Sequence, residues 1–464
     1  MSENSHSGSS FALRLALAVA SGGLYSLAYP PLGWGWLVFP AVAGLLVALK
    51  DQRGSRARAI GFLHGLTAFG VGLSWLYELF GPLAIVLWFV LAAFPAMFAQ
   101  FQGLAAVREV SGWKLAVFTA LNWGAWEFIR AELFPLKFPW MTAGLALGPN
   151  RLLPWIGVYG VGVIVILGVA FLVTRQWKLA LAPAAVLLGS MLLILRHAEP
   201  DNPATLNVAG IQKEDVSLHG FLTATRELPA DIPYVVWPEY AVPYDIRADR
   251  DDWEQVQQLC RDRGITLTFG TQLHPQERQG WRNIALTVDP DGVRGEHNKV
   301  HPVHFFNDGI AGSSALPIET AHGKIGTPVC FDCDYEGVVR RMTTAGAELF
   351  IVPIMDAEAW TARQHDQHAE LFRIRACENG RWMFVCATSG VSQVIDPNGQ
   401  LHGRLGAMVS GTLVGSLKRE TRLTFYTRFG WLTPWAVLAA AVACWTGLLL
   451  AGRRGTGRPR AGMA

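Results

Sequence analysis

Tyr234-Val235-Val236-Trp237-Pro238-Glu239 reads as a β-branched, aromatic run of strand type, closed by a proline and followed at once by a carboxylate. The same grammar recurs at Lys324-Ile325-Gly326-Thr327-Pro328-Val329-Cys330, where the run ends on a thiol. It recurs again at Ile284-Ala285-Leu286-Thr287-Val288-Asp289, whose Asp-Pro-Asp-Gly turn at 289–292 leads on to Asn298-Lys299-Val300-His301. Further short runs lie at 206–210, 265–270, 349–353, 383–387 and 392–396, the last entering Asp-Pro-Asn-Gly at 396–399. Helical patterns at 253–263, 337–345 and 362–380 separate several of them, and this alternation implies a layered α/β or α+β domain over residues 200–425.

Outward from that block the composition changes. Hydrophobic residues make up 51% of the 464 and charged residues only 16%, well under the quarter usual for soluble proteins. Of 39 Lys and Arg and 36 Asp and Glu, 20 fall in 1–199 and 5 in 426–464, against 50 between. Apolar runs near 12–29, 33–49, 59–79, 82–106, 114–131, 155–174, 179–195 and 431–451 approach the roughly 20 residues that cross a bilayer. The sequence therefore predicts transmembrane helices 1–7 in residues 1–199, and helix 8 with a basic cytoplasmic tail in 426–464. Arg14 and Glu127 fall near span ends, where long side chains snorkel to the interface.

Lys50, Arg53, Arg56, Arg58, Arg108, Lys114, Arg175 and Lys178 lie in alternate connections, and Arg453, Arg454, Arg458 and Arg460 follow the last span. The positive-inside rule assigns that side to the cytoplasm and the 200–425 block to the opposite side. Ala18-Val19-Ala20 resembles a signal-peptidase site, but the apolar pattern runs on to Ala28, which favours an uncleaved span. Residues 132–154, with Phe134, Phe138 and Trp140, read as an aromatic interfacial loop or a simple aromatic belt.

A net charge of +3 gives no footprint for nucleic acid, and six cysteines (260, 330, 333, 377, 386 and 444) are too scattered for a disulfide scaffold. Cys330 and Cys333 form a Cys-x-x-Cys, which leaves a redox or disulfide role open beside a nucleophilic one. No histidine or cysteine cluster has metal-ligand spacing, and His365 and His368 read as facing solvent or core on a helix. A carboxylate at Glu239, an amine at Lys299 and a thiol at Cys330, each after a predicted strand, form a coherent set when they converge. The carboxylate takes the thiol's proton and the ammonium holds the oxyanion formed at an attacked carbonyl. The structural alternative is a solvated rim for Glu239 and Lys299, and an inert buried thiol for Cys330.

Trp237-Pro238-Glu239, Asn298-Lys299-Val300-His301 and Cys330-Phe331-Asp332, in that order, resemble the Glu–Lys–Cys triad of the nitrilase superfamily, and further stretches similar to that superfamily are Arg375-Ala376-Cys377-Glu378-Asn379-Gly380-Arg381, Ala387-Thr388-Ser389-Gly390 and Val394-Ile395-Asp396-Pro397-Asn398-Gly399. With Tyr29-Pro30-Pro31-Leu32-Gly33-Trp34, residues 61–75, Phe138-Pro139-Trp140-Met141, Gly157-Val158-Tyr159-Gly160 and Tyr426-Thr427-Arg428-Phe429-Gly430, the resemblance narrows to the apolipoprotein N-acyltransferases. It implies an integral membrane α-helical bundle of about eight transmembrane helices with an inserted α/β nitrilase-like αββα sandwich, periplasmic, on a bacterial inner membrane. It implies further that Cys330 takes an acyl chain from a phospholipid donor as a thioester, then passes it to the N-terminal amine of a diacylated lipoprotein. No cofactor or metal is implied, because the thiol carries the acyl group.

Trp237, Phe331 and Asp332 are expected to support the pocket, with Asp332 orienting Lys299. Where the family shows Pro-Phe-Gly-Glu after the lysine, this chain reads Pro302-Val303-His304-Phe305-Phe306-Asn307-Asp308. Asn307 then takes the place of the glutamate that orders the lysine, and Asp308 substitutes only if the loop shifts by one residue. Met355-Asp356-Ala357-Glu358-Ala359-Trp360 stands where the acyltransferases show Asn-Asp-x-Trp-Phe. The altered loop leaves open a membrane-tethered amidase or an acyltransferase with another acceptor, and the spans leave open a transporter or non-catalytic binding protein.

Overall fold

Helices that are apolar on every side gain little specificity from hydrophobicity, so close backbone approach has to set their packing. The structure, a computed structural model, describes residues 3–192, 205–275 and 280–455. It divides into two compact units: Met1–Leu147 with Val158–Leu192 and Leu432–Ala464, and Gly148–Gly157 with Leu193–Trp431. The first is helical: α1 (Glu3–Leu27), α2 (Val38–Leu49), α3 (Gly54–Gly72), α4 (Leu76–Phe80), α5 (Leu83–Val107), α6 (Gly112–Phe128), α7 (Leu153–Val173), α8 (Trp177–Leu192) and a last helix, Thr433–Gly455. Glycines bring α3 against its neighbours. A Cβ at Gly22 would lie 2.4 Å from the His64 carbonyl oxygen, and one at Gly61 would lie 2.3 Å from that of Pro95.

Among the described residues four segments, Ser10–Leu27, Leu83–Val107, Leu153–Val173 and Gly430–Ala451, are long and apolar enough to cross a membrane. The run read at 59–79 is instead two helices, because α3 stops at Gly72 and α4 begins at Leu76. The run at 114–131 stops at Phe128 and passes into a wider turn, Ile129–Leu133. Two further expectations change in this unit. Glu127 does not snorkel: its side chain is buried and accepts from the Ala143 amide (2.8 Å) and Trp123 Nε1 (3.3 Å). Trp140 is likewise interior, since the Arg130 guanidinium donates to the carbonyls of Phe138 (2.7 Å) and Trp140 (2.8 Å) and draws that stretch inward. Part of the expected interfacial loop therefore satisfies buried charges.

Among the described residues of the second unit, two six-stranded sheets hold twelve strands. Their members in chain order are β1 (Thr205–Gln212), β2 (Tyr234–Val236), β3 (Thr266–Leu273), β4 (Arg282–Asp289), β5 (Gly292–Asn298), β6 (Ile318–Thr320), β7 (Gly323–Gly326), β8 (Leu349–Ile354), β9 (Met383–Ala387), β10 (Ser392–Ile395), β11 (Leu401–Leu405) and β12 (Gly411–Lys418). One sheet runs β12-β1-β2-β3-β4-β5 and the other β11-β10-β9-β8-β7-β6. Within each, three parallel strands are flanked by antiparallel ones, and β12 returns from the second half to pair with β1. β5, β6, β11 and β12 lie outside the strands read from the sequence, because Gly-Val-Arg-Gly-Glu-His-Asn at 292–298 has no apolar alternation, β6 is only three residues long, and glycines interrupt β11 and β12. Pairing with a neighbour, not composition, makes them strands.

Side-chain alternation along the strands sorts the layers. Tyr234 and Val236 pack between the sheets with Ile325, Ile351 and Phe384. Val235 and Trp237 point the other way and pack with Phe221 of α9 (Leu218–Arg226) and Leu259 of α10 (Arg250–Arg263). On the far side of the second sheet, Phe350 and Val385 meet Val339 of α11 (Gly337–Thr344) and Phe372 of α12 (Ala362–Asn379). The order is helix, sheet, sheet, helix.

Gly210 of β1 lies where the sheets approach closely: a Cβ there would stand 2.5 Å from the Phe384 ring. Gly210→Ala should therefore lower stability by about 1–3 kcal/mol through overpacking. Thermal unfolding of the full chain in detergent measures it, and an unchanged midpoint would show that the sheets have slack here.

Candidate active site

Glu239 and Lys299 follow their strands where backbone pairing fixes them, whereas the strand expected to run up to Cys330 stops at Gly326 and the thiol lies four residues beyond it. β2 extends one step beyond Val236, the Trp237 amide donating to Thr268 of β3 (3.0 Å), and the Gly270 amide holds the Pro238 carbonyl (3.1 Å). A Cβ on Gly270 would sit 2.4 Å from Glu239 Cα, so β3 reaches the carboxylate's backbone only because that residue is glycine. Lys299 follows β5 directly, its amide donating to Asn283 of β4 (2.9 Å). Cys330 begins the short turn Cys330–Cys333 at φ 46°, a left-handed conformation strained for a side-chain-bearing residue.

Asp332 holds that turn in place. One of its carboxylate oxygens accepts from the amides of Val300 (2.9 Å) and His301 (2.8 Å), the other from His297 Nε2 (2.9 Å) and the Val329 amide (3.2 Å). It thus ties the segment after the lysine to the segment carrying the thiol. It makes no contact with Lys299, so its expected role as the lysine's orienting group is replaced by this cross-link. Despite burial, hydrogen bonds from His297 and His301 hold its pKa well below the ordinary carboxylate range.

Lys299, 2% exposed, places Nζ 2.8 Å from Glu239 Oε1 and 2.8 Å from Asp308 Oδ2. Asn283 Nδ2 donates to both carboxylates, at 2.6 Å to Glu239 and 2.7 Å to Asp308. Tyr240 donates its hydroxyl to Asp308 Oδ1, and the Val303 amide donates to Oδ2 (2.7 Å). The loop shift left open by the sequence is present: Asp308 is buried on the lysine, whereas Asn307 lines the cleft as an exposed residue. The backbone of Met355, just past β8, completes the group. Its amide donates to Glu239 Oε2 (2.8 Å) and its carbonyl lies 3.7 Å from Cys330 Sγ.

Burial opposes charge on Lys299, but Glu239 and Asp308 outweigh it and push its pKa far up, so it stays an ammonium. Burial lifts Glu239 above the usual carboxylate value even against the lysine's pull, which makes it a better proton acceptor. Asp308 is held low by the same lysine in spite of burial. Burial, then the charge of Glu239, keeps the Cys330 thiol protonated at rest. Cys330 and Cys333 are both free thiols.

A cleft of about 600 Å³ opens on Glu239, Lys299, Asp308 and Cys330, with Trp281, Phe306 and Trp360 among its walls. The remaining expected residues lie behind it. Trp237 is fully buried, stacked on Phe221 with Nε1 donating to Thr225 Oγ1 (3.0 Å). Phe331 meets the Tyr335 ring edge-on at 5.3 Å. Neither lines the cleft, nor does Asp332. Sequence reading missed Tyr240, Gly270, Asn283 and Met355. An asparagine immediately before a β-branched run was a signal for Asn283, but Met355 acts through its backbone and left none.

A buried carboxylate, ammonium and thiol grouped between two such sheets define a class, and the chain belongs to the carbon-nitrogen hydrolase family, whose model matches residues 193–424, half its length. Residues 21–172 match the model of the apolipoprotein N-acyltransferase N-terminal domain. Similarity to proteins named apolipoprotein N-acyltransferase spans both parts. That of Geobacter metallireducens is 27% identical over 494 residues, covering 92% of this chain and 93% of that protein. That of Azotobacter vinelandii is 28% identical over 491 residues, covering 92% and 94%. Among solved structures, Saccharomyces cerevisiae Nit3, a member of branch 10 of the nitrilase superfamily, covers 46% of this chain and 90% of its own at 21% identity, with a TM-score of 0.41.

Because Asp332 is charged when folded and has a depressed pKa, its stabilisation is complete above its unfolded value near 4 and is lost as pH falls through the lower folded value. Asp332→Asn should cost about 2–4 kcal/mol at pH 7. The gap to the wild type should narrow below about pH 4. Chemical denaturation of the full chain across pH checks both, and a pH-independent gap would contradict the charged assignment.

Proposed function

We propose that this protein is a membrane-embedded N-acyltransferase of lipoprotein maturation, with Glu239, Lys299 and Cys330 as its catalytic residues. The observation that carries the reading is the convergence of a raised carboxylate, a paired ammonium and a free thiol on one cleft. The chain also carries apolar helices and is similar along most of its length to proteins named for this activity.

In the first half-reaction Cys330 Sγ attacks the ester carbonyl of a phospholipid, its proton passing to Glu239 as the C–S bond forms. Lys299 Nζ stabilises the tetrahedral oxyanion together with backbone amides. Collapse breaks the ester C–O bond; the proton goes to the departing alkoxide, and a lysophospholipid leaves. In the second, the α-amine of the diacylglyceryl-cysteine at a lipoprotein N-terminus attacks the thioester. Glu239 accepts the amine proton, an amide forms, and the thiolate recovers its proton. Asp308 shares Lys299 with Glu239, so the ammonium remains charged while the carboxylate gains and loses its proton.

The proposal includes eight spans, a bacterial inner membrane, and a catalytic unit on the periplasmic side, supported by the placement of Lys and Arg in the connections. Both substrates are anchored in a bilayer, which explains physically why such a site is fused to apolar helices. The altered lysine loop was the reason to weigh an amidase; Asp308 on Lys299 supplies the carboxylate whose loss that reading assumed.

Incubation with labelled phospholipid should leave a hydroxylamine-labile acyl group on Cys330, found by mass spectrometry, and a diacylated lipopeptide should then discharge it as N-acylated product. Cys330→Ala should abolish the adduct and Cys333→Ala should retain it. An adduct on Cys333, or free fatty acid with no N-acylated peptide, would overturn the proposal. Asp308→Asn should lower kcat about 100-fold by leaving Lys299 with one partner, while Asn307→Ala should stay near wild type.

A further inference from the structure

Behind the cleft lies a second buried charge group. His368 of α12 is 2% exposed, with Nδ1 2.9 and 3.0 Å from the two Asp356 oxygens and Nε2 3.1 Å from Asp334 Oδ1. Only an imidazolium presents a proton on both nitrogens. Burial opposes that charge, but Asp356 and Asp334 outweigh it and push the pKa up to about 10. The two carboxylates belong to different arms of the site. Asp334 ends the turn that begins at Cys330, and Asp356 follows Met355, whose backbone reaches both Glu239 and Cys330.

α12 braces the same arms at further points. Arg375 lies seven residues beyond His368, on the same helix face, and donates to the carbonyls of Cys333 (3.0 Å) and Asp334 (3.0 Å). Gln364 donates to Asp356 Oδ1 (3.1 Å), and His365 Nε2 lies 3.0 Å from the Ala357 carbonyl. Asp356 has little freedom elsewhere. Its carbonyl accepts from Ser389 (3.2 Å) and Thr388 (3.0 Å), and a Cβ on Gly390 would stand 2.6 Å from its side chain.

We propose that His368 is a positioning residue: ion-paired with both Asp334 and Asp356, it holds the Met355 backbone between Glu239 and Cys330, so that one linked unit aligns the base with the nucleophile. This rests on the triad reading above. His368 does not line the cleft and acts only through its two partners. Removing the ring leaves two facing carboxylates without their cation, and the strain is relieved by moving the segments that carry Met355 and Cys330. A displacement of about 1 Å at reacting groups costs on the order of 100-fold in rate.

The test uses the full-length protein in detergent, as His368→Gln, Asp356→Asn and the double variant. Two quantities are read at one fixed pH: the rate of Cys330 alkylation by iodoacetamide, and kcat with KM for the phospholipid. Each single variant should lower the alkylation rate and kcat about 10- to 100-fold with KM unchanged. The double variant should be no worse than either single, because all three cut one link. Lowered thermal stability with wild-type alkylation, a faster Asp356→Asn thiol, multiplying losses, or a change in KM alone would overturn the inference. Should His368→Gln fail to fold, Asp334→Asn retains the pair with Asp356 and must still slow alkylation; a wild-type rate there overturns it as well. Failure of the triad reading is visible separately, as a wild-type Cys330 that never carries an acyl group.

Discussion

An ammonium removed from water is tolerable only where carboxylates surround it, and the Lys299 side chain has two at 2.8 Å. Those carboxylates come from distant parts of the chain, Glu239 from the end of a central strand and Asp308 from the loop after an edge strand. The constraint therefore fixes more than a lysine. Asn283, which donates to both carboxylates, must stand between them, and Gly270 must lack a side chain so that Glu239 can sit against β3. The charge cluster is satisfied only when the whole first sheet is in register.

The thiol comes from the other sheet, and two kinds of bond bring it in. Asp332 fastens the Cys330 turn to the amides after Lys299, and the Met355 backbone touches Glu239 with its amide and Cys330 with its carbonyl. Both use backbone groups, which cannot swing as side chains do. A nucleophile held at positive φ needs such over-determination, because its strain would otherwise relax by rotating Sγ away. Resting protonation of the thiol fits this arrangement: the carboxylate that takes the proton is already in place, and its own pKa is raised toward the task.

The helical unit solves a different problem with the same economy of contacts. Its glycines admit neighbouring backbones at distances no side chain allows, and the deeply placed Arg130 spends its donors on the carbonyls of Phe138, Trp140 and Met141. Glu127 is used in the same way, on the Ala143 amide. Glu127, read from the sequence as lying at a span end, is with Arg130 an internal fastening for a non-helical segment, which must satisfy its backbone groups somewhere when water is absent.

Much of this was legible in the residues. The runs at 234–237, 284–289, 349–353 and 383–387 are strands because β-branched and aromatic side chains alternate between two buried faces, and a sequence displays that period directly. The separation of an apolar part from a charged one followed from composition; Glu239 and Cys330 stood out as reactive groups directly after apolar runs, and Lys299 as one after the turn that follows another. Edge strands such as Gly292–Asn298 were not legible, because their order comes from a partner's hydrogen bonds. Which of Asn307 and Asp308 serves the lysine is a matter of one residue of loop path, decided by the Val303 amide and the Tyr240 hydroxyl rather than by either residue's own chemistry. The helical pattern at 362–380 gave no sign that His368 would lie between two aspartates, since 34 and 12 residues of chain separate it from them. The sequence by itself determined which groups were available and the periods of their strands and helices, because those depend on neighbours along the chain. Only the tertiary structure decided which carboxylate meets which cation, because burial makes pairing obligatory but leaves the choice of partner to where the backbone brings the groups together.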